Sequence, residues 1–171
     1  MSAGSGAQDE TPVRSRTAGV QKLLELGRLR ELPARSEEVA AVWRKAVESA
    51  GDAVLPGMSI DGALRSAYDA GHMAALALLA SHGLRPGGGP GHHEAAFAAA
   101  AALAYEGLED LVPDSMEVRG LRKGSMYDPV LAGADELQRA LDWMRRTLPA
   151  IHHALQEADP AIVALLVPYR P

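Results

Sequence analysis

The stretch SIDGALRSAYDAGHMAALALLASHGLRPGGGPG, residues 59–91, decides the fold class of this chain. Apolar or small side chains recur in it at intervals of three and four, the spacing that places them on one face of an α-helix. Gly83 can take the left-handed conformation that ends a helix, and the glycine-rich loop after it turns the chain back. The stretch therefore predicts a long helix over 59–83 that packs against neighbouring helices. Its face consists of Ile60, Leu64, Ala67, Gly71, Ala75 and Leu78.

The composition favours the same fold class throughout the chain. The 171 residues are 47% hydrophobic, enough for one ordinary core, but only 4% aromatic. Leucine and alanine are strong helix formers, whereas the residues that favour strands are scarce. We therefore expect an all-α protein, an up-and-down four-helix bundle with additional short helices. The four main helices are predicted over 36–52, 59–83, 92–111 and 134–157.

Local signals set the ends of several predicted helices. Ser36 is the expected N-cap of the first main helix. Pro113 is expected to end the third, and a short helix over 114–123 should stop at Gly124. The segment 17–32 is amphipathic and precedes Pro33.

The last main helix carries apolar residues in alternating steps of four and three. This heptad spacing is typical of helices packed nearly antiparallel, and Pro149 inside it should kink the helix or open one backbone bond. Asp159 and Pro160 can start one more short helix. The heptad positions are Leu137, Leu141, Met144, Leu148, Ile151 and Leu155.

Composition and charge exclude several classes of protein. Residues 1–16 are small and polar and predict a disordered tail, which leaves 17–171 as a single helical domain. The net charge of −5 argues against a general nucleic-acid binder, and the lack of cysteine excludes disulfides and zinc–thiolate sites. No run is apolar enough to span a membrane, and no signal pattern begins the chain. We expect a cytoplasmic protein without membrane contact.

The order of several short motifs resembles that of small bacterial HEPN-type domains. The run LRSAYDAGHMAALALLASHGLRPGGGPGHHEAAF is followed by DLVPDS, by LRKGSMYDP and by a closing amphipathic helix. The resemblance covers residues 36–157. It implies a four-helix bundle, often a homodimer, and some members of the family are metal-independent ribonucleases or toxins.

The resemblance also implies where such an active site would lie. Relatives pair an arginine with a histidine four to six residues later: the arginine neutralises a phosphate and the histidine moves the proton of the attacking hydroxyl. Arg122 occupies the arginine position, and Tyr127 and Asp128 occupy the Tyr-Asp position. This chain departs from the pattern, because Lys123 replaces the usual asparagine and no histidine follows Arg122 at that distance.

Arginine and histidine occur at a comparable spacing elsewhere, in Arg65/His72, Arg85/His92 and Arg146/His152. Chance alone would produce such pairs in a chain of this composition. Arg65, Asp69 and His72 share one helix face, so they form either a solvated polar stripe or dimer contact, or part of a site.

His92 and His93 begin the third predicted helix. Adjacent histidines point to different sides of a helix and cannot easily bind one metal ion, so we expect no metal site there. Either they cap the helix, with Gly91 freeing the backbone, or they act near Arg122 and Tyr127 with the anion-binding helix terminus.

Three function classes remain open, and none of them calls for a cofactor. The first is a non-catalytic HEPN-like interaction module, the partner of an antitoxin or nucleotidyltransferase. The second is a ribonuclease toxin that uses Arg122 with Tyr127 or a histidine from elsewhere as the base, so that RNA is its substrate. The third, a helical metalloprotein, is disfavoured by the ligand spacing. Convergence of Arg122 with His92 or His93 in one cleft would favour the enzyme.

Overall fold

The computed structural model of the protein describes residues 17–104, 108–127 and 133–170, with the backbone alone for residues 124–127. The described chain is mostly helical, as predicted. Its elements, in chain order, are α1 (Ala18–Glu25), β1 (Leu29–Glu31), α2 (Ser36–Ala53), α3 (Ile60–Ser81), β2 (Leu84–Pro86), α4 (His92–Leu103), α5 (Leu111–Tyr127), α6 (Ala134–Ala158) and α7 (Pro160–Val163).

Helix α3 lies at the centre of the protein and contacts α2, α4, α5 and α6. Most of its residues are buried, and many of these are alanine or glycine. Small side chains let neighbouring helices approach closely on several sides. A helix that is buried nearly all round needs this composition, which explains why its sequence is so rich in alanine.

The predicted bounds of the first, second and fourth main helices agree with α2, α3 and α6 to within two residues. The Ser59 hydroxyl caps α3 by accepting a hydrogen bond from the Gly62 N–H at 3.1 Å. Gly83, with φ of 67°, follows the other end in the left-handed conformation. These local signals act independently of the packing, so the sequence alone indicates them.

The prediction for residues 92–124 was wrong in its boundaries. Helix α4 ends at Leu103, because Ala104 adopts an extended backbone with ψ of 122°. Pro113 does not end this helix but lies in the first turn of α5, where proline is tolerated because no backbone donor is needed. Helix α5 also continues past Gly124 to Tyr127, so it is longer than predicted at both ends.

A two-stranded sheet was missed by the sequence analysis. β1 and β2 pair in antiparallel register, with Leu29 opposite Pro86 and Glu31 opposite Leu84. The amphipathic segment 17–32 is therefore a short helix followed by a strand, and Leu26 between them is exposed. Three-residue strands carry too little periodicity to be recognised, and both depend on each other for their hydrogen bonds.

The end of the chain closes over the start of α2. Ser36 is the first helical residue rather than the N-cap, which is Arg35, and its hydroxyl donates to the Asp159 carboxylate at 3.2 Å. Asp159 also caps the predicted last short helix, α7, through the Ala161 N–H at 2.9 Å. The buried Trp43 indole donates to the Val167 carbonyl at 2.8 Å.

The heptad face of α6 is buried only in part. Leu137 and Leu141, at its N-terminal end, are half-buried. Trp143, which is not a heptad position, is 2% exposed and packs against α3 beside Gly71. Pro149 is exposed within a helix that continues on both sides of it. The heptad positions that are buried are Met144, Leu148, Ile151 and Leu155.

None of the described helices is both long and apolar enough to cross a membrane. The predicted disordered tail, residues 1–16, lies outside the described part of the chain.

The contact of Gly71 with Trp143 generates a stability prediction. A Cβ atom at position 71 would overlap the Trp143 ring, which is buried and cannot move aside freely. We expect Gly71→Ala to lower the free energy of unfolding by about 1–3 kcal/mol, because overpacking outweighs the higher helix propensity of alanine. Urea denaturation followed by circular dichroism measures the change.

Gly120→Ala is the matched control. Gly120 lies inside α5 and is exposed. A Cβ atom at this position would have no described atom within 4 Å beyond its own helix backbone and its two chain neighbours. The same substitution should therefore raise the free energy of unfolding by about 0.5–1 kcal/mol. Equal effects of the two substitutions would contradict the proposed close contact.

Candidate functional site

Two histidines from different helices meet beside α3. His72 lies in α3 and His93 in the first turn of α4, and their ring centroids are 4.1 Å apart with planes inclined by 31°. Gly91, with φ of 81°, turns the chain into α4 in a conformation that side chains other than glycine rarely adopt. The glycine-rich loop thus brings His93 against α3.

Both histidines are held in the neutral form at pH 7. His72 is 8% exposed, and its pKa is lowered to about 3, first by burial and then by the positive charges around it. The pKa of His93 is lowered to about 4, again mainly by burial. No other described atom lies in hydrogen-bonding position to the buried Nε2 of His72. The basic groups whose positive charge opposes protonation of one or both rings are the arginines and lysine Arg119, Arg122 and Lys123, together with the neighbouring imidazoles of His92 and His93 when they are protonated.

Tyr68 links the histidines to an arginine. Its hydroxyl oxygen is 3.2 Å from Nδ1 of His93, and the whole residue is 1% exposed. The Arg122 guanidinium carbon, from α5, lies 5.3 Å from the centroid of the Tyr68 ring, a cation–π distance. Phe97 packs edge-on against the same ring. Burial raises the pKa of Tyr68, and the charges of Arg119 and Arg122 oppose this, so the hydroxyl stays protonated at neutral pH.

Asp69 is the acidic partner of Arg122. Their nearest side-chain atoms, Nη1 and Oδ1, are 3.6 Å apart, and both side chains are about one-third exposed, at 30% and 40%. Burial raises the pKa of Asp69, and the lowering effect of Arg122 and Arg65 does not cancel it. A partly exposed pair at this distance contributes little stability, so its main effect is to orient the guanidinium.

Asp69, His72, His93 and Arg122 line one cleft of about 500 Å³. Helices α2, α3, α4 and α5 all contribute to its wall, so the cleft depends on the packing around α3. It holds two neutral proton acceptors and a fixed cation, and it also contains acidic groups. Its lining is Lys45, Glu48, Ser49, Asp52, Asp69, His72, Met73, His93 and Arg122.

A larger groove, of about 600 Å³, lies between α5 and α6. The charged groups along it already form ion pairs with one another. Examples are Arg139 with Glu117 at 3.4 Å and Arg146 with Asp114 at 3.3 Å. None of the described residues that line it is a histidine. The smaller cleft is therefore the better candidate for chemistry.

The structure brings together four of the site residues that the sequence indicates: Asp69, His72, His93 and Arg122 line the cleft. Arg65 is exposed and does not line it, as expected for a solvated residue, whereas the burial of His72 excludes a solvated stripe for that residue.

His92 is exposed and is the first residue of α4. Its Nδ1 lies 3.0 Å from the Gly89 carbonyl oxygen, so the ring is tied to the preceding turn, whereas a bond to a carbonyl oxygen does not cap the N–H groups of the helix. The two adjacent histidines thus have different surroundings, although their rings remain 4.2 Å apart. The Asp128 prediction, and that for the Tyr127 side chain, fall outside the described residues.

The arginine–histidine pair Arg146/His152 from the sequence separates in the structure. Arg146 faces Asp114 across the larger groove, whereas the His152 ring stacks on Trp43 at 5.1 Å.

Tyr68 and the polar face of α2 were not identified from the sequence. Tyr68 precedes His72 by four residues and so shares its helix face, which is a usable signal. Lys45, Glu48 and Asp52 show only the spacing of an ordinary exposed helix face. Their position over the histidines is visible only in the packed structure.

Among the described residues, no three histidine or carboxylate side chains are grouped to hold a metal ion. Comparison with protein-family models, curated proteins and solved structures finds no match. The resemblance to HEPN domains rests on the motifs of the sequence.

The lowered histidine pKa values predict a loss of stability in acid. An unfolded histidine binds a proton near pH 6.5, whereas folded His72 does so near 3, so the unfolded state binds more protons between these values. The free energy of unfolding therefore keeps its full value above pH 6.5. It decreases as the pH falls toward 3, by up to about 1.4 kcal/mol per pH unit. We expect the free energy of unfolding of His72→Phe to decrease less steeply with falling pH than that of the wild type.

Urea denaturation at pH 7, 6, 5 and 4 measures this slope. His153→Gln is the control for removing a histidine outside the cluster, since His153 is exposed on α6. Identical slopes for His72→Phe and the wild type would show that His72 is not held neutral by burial.

Proposed function

We propose that the protein is a metal-independent endoribonuclease of the HEPN type, with Arg122 and the histidine pair as its catalytic groups. The observation that carries this proposal is that Arg122, His72 and His93 line one cleft although they are distant in sequence. The histidine that the HEPN motif lacks after Arg122 is thus replaced by histidines from α3 and α4.

The chemistry follows from the protonation states. A neutral histidine accepts the proton of the RNA 2′-hydroxyl as its oxygen forms a bond to phosphorus. The bond from phosphorus to the 5′ oxygen then breaks, and the histidine pair returns a proton to that oxygen. The Arg122 guanidinium stabilises the charge that builds on the phosphoryl oxygens. The products are a 2′,3′-cyclic phosphate and a 5′-hydroxyl end.

Substrate binding itself assists the proton transfer. With pKa values of about 3 and 4, both histidines are by themselves poor proton acceptors. A phosphodiester anion beside them favours their protonated form and raises both pKa values. The histidines are thus better bases when substrate is present than when the cleft is empty.

The acidic groups of the cleft favour a second candidate, a non-catalytic interaction module. Glu48 and Asp52 face the histidines from α2 and would oppose a polyanion, as does the net charge of −5. In that case the cleft would bind a basic segment of a protein partner, an antitoxin or an associated nucleotidyltransferase. Tight binding of such a partner without RNA cleavage would favour this function.

The proposal includes the assembly of the HEPN family: an up-and-down four-helix bundle that forms a two-fold symmetric homodimer. The four longest described helices, α2, α3, α5 and α6, supply the elements for such a bundle. In the dimer, the C-terminal ends of α5 from the two chains would meet near Arg122, as relatives form a shared cleft there.

Removing the Arg122 charge should strongly slow RNA cleavage. We expect purified protein to cleave single-stranded RNA equally with and without a chelator, and Arg122→Ala to lower kcat/KM by about 100-fold or more, as loss of a charge-stabilising group does. Product ends are identified by their reactivity toward phosphatase and kinase.

Arg145→Ala is the matched control, since it removes the same charge from the exposed face of α6, where Arg145 pairs with Asp142 at 3.5 Å. It should keep wild-type activity. Cleavage by Arg122→Ala at close to the wild-type rate, or cleavage that requires a divalent metal, would contradict the proposal.

The proposed homodimer is tested separately by sedimentation. We expect a dimer at micromolar concentration, and Tyr127→Ala should shift it toward monomer while circular dichroism shows an unchanged helical content. Monomeric wild-type protein at high micromolar concentration would refute the assembly without bearing on the histidine cleft.

A further inference from the structure

We propose that Tyr68 is a positioning residue of the cleft: its hydroxyl fixes the tautomer of His93 while its ring face holds Arg122. This inference rests on the proposed ribonuclease function and goes beyond it in assigning a residue that touches no substrate. Three observations carry it: the hydrogen bond to His93, the stacking of Arg122, and the burial of Tyr68.

The direction of the hydrogen bond follows from burial. Tyr68 is 1% exposed, so its O–H has no access to bulk water. A buried donor without a partner costs more than a hydroxyl lone pair without one, so the O–H donates to its observed neighbour, Nδ1 of His93 at 3.2 Å. Neutral His93 then carries its proton on Nε2.

The tautomer decides what His93 can do in the cleft. With Nδ1 occupied by Tyr68, Nε2 is the ring nitrogen left for a substrate, and it presents an N–H group. A neutral imidazole of this kind donates a hydrogen bond to a phosphoryl oxygen. Proton acceptance then falls to the other member of the pair, His72.

The same ring fixes the second catalytic group. Arg122 lies over the Tyr68 face at 5.3 Å, and Asp69, the next residue in α3, faces the guanidinium from its side. Histidine and arginine are thus positioned from neighbouring residues of one rigid helix. Groups held this way lose little freedom when substrate binds, which is the advantage of preorganisation.

Tyr68→Phe removes the hydroxyl and keeps the ring, so it separates the two contacts. Tyr169→Phe is the matched control: Tyr169 is half-buried near the end of the chain and does not line the cleft. Circular dichroism and thermal unfolding confirm that both variants fold. The tautomer is read from two-bond ¹H–¹⁵N correlations of the histidine rings at pH 7, with His93 assigned by its loss in His93→Gln.

The expected results are specific to the hydroxyl. Wild-type protein and Tyr169→Phe should show His93 protonated at Nε2 alone, and Tyr68→Phe should show a mixture of tautomers. In the cleavage assay, Tyr68→Phe should lower kcat by about tenfold with KM little changed, because Arg122 remains on the ring.

The outcomes separate this inference from the proposed function. Wild-type protein that cleaves no RNA overturns the ribonuclease and, with it, the catalytic role of Tyr68. If the wild type cleaves RNA, a His93 protonated at Nδ1, an unchanged tautomer in Tyr68→Phe, or an unchanged kcat each overturns the role of Tyr68 alone.

Discussion

The burial of α3 on several sides is the constraint on which the rest of the structure depends. Four helices contact this one element, and its alanine and glycine residues let them come close. At Gly71 the Trp143 ring of α6 packs so closely on the backbone of α3 that a Cβ atom would overlap it. Because the neighbours are positioned by backbone proximity, the side chains they direct toward α3 have little freedom. Polar groups on α3 are consequently enclosed even though the helix carries several of them.

That enclosure produces the unusual electrostatics of the cleft. A histidine that faced water would exchange protons near neutrality, but His72 is shielded by Tyr68, His93 and Phe97 and surrounded by positive charge, which lowers its pKa to about 3. Asp69, one turn away, is only partly buried, and burial acts on a carboxyl in the opposite direction, so that its pKa is raised. Both pKa shifts favour the neutral form of the side chain, imidazole for His72 and carboxylic acid for Asp69. An anionic substrate would raise the pKa values of the histidines, so these side chains would bind a proton more readily when the site is occupied.

The sequence indicates the helices of this protein better than it indicates their mutual arrangement. The spacing of apolar residues and the signals at Ser59 and Gly83 are local, and they predicted α2, α3 and α6 closely. The end of α4 and the β1–β2 pair depend on contacts between distant segments, so no local pattern reveals them. The site shows the same division: Asp69 and His72 share a helix face and could be grouped from sequence. The sequence does not show that His93 and Arg122 lie beside these two residues. Their proximity depends on how α4 and α5 pack on α3, and no local pattern encodes that packing.

The attachment of the C-terminal segment has an evolutionary consequence. The indole of Trp43 is held by the Val167 carbonyl, a main-chain group that every amino acid possesses. This hydrogen bond is therefore insensitive to the identity of residue 167, although the path of the backbone must be kept. As far as this hydrogen bond is concerned, residue 167 can change among descendants of this protein while the backbone continues to cover the same tryptophan; its side-chain packing against the core is a separate constraint. The hydrogen bond requires the indole N–H at position 43, but it requires no particular side chain at position 167.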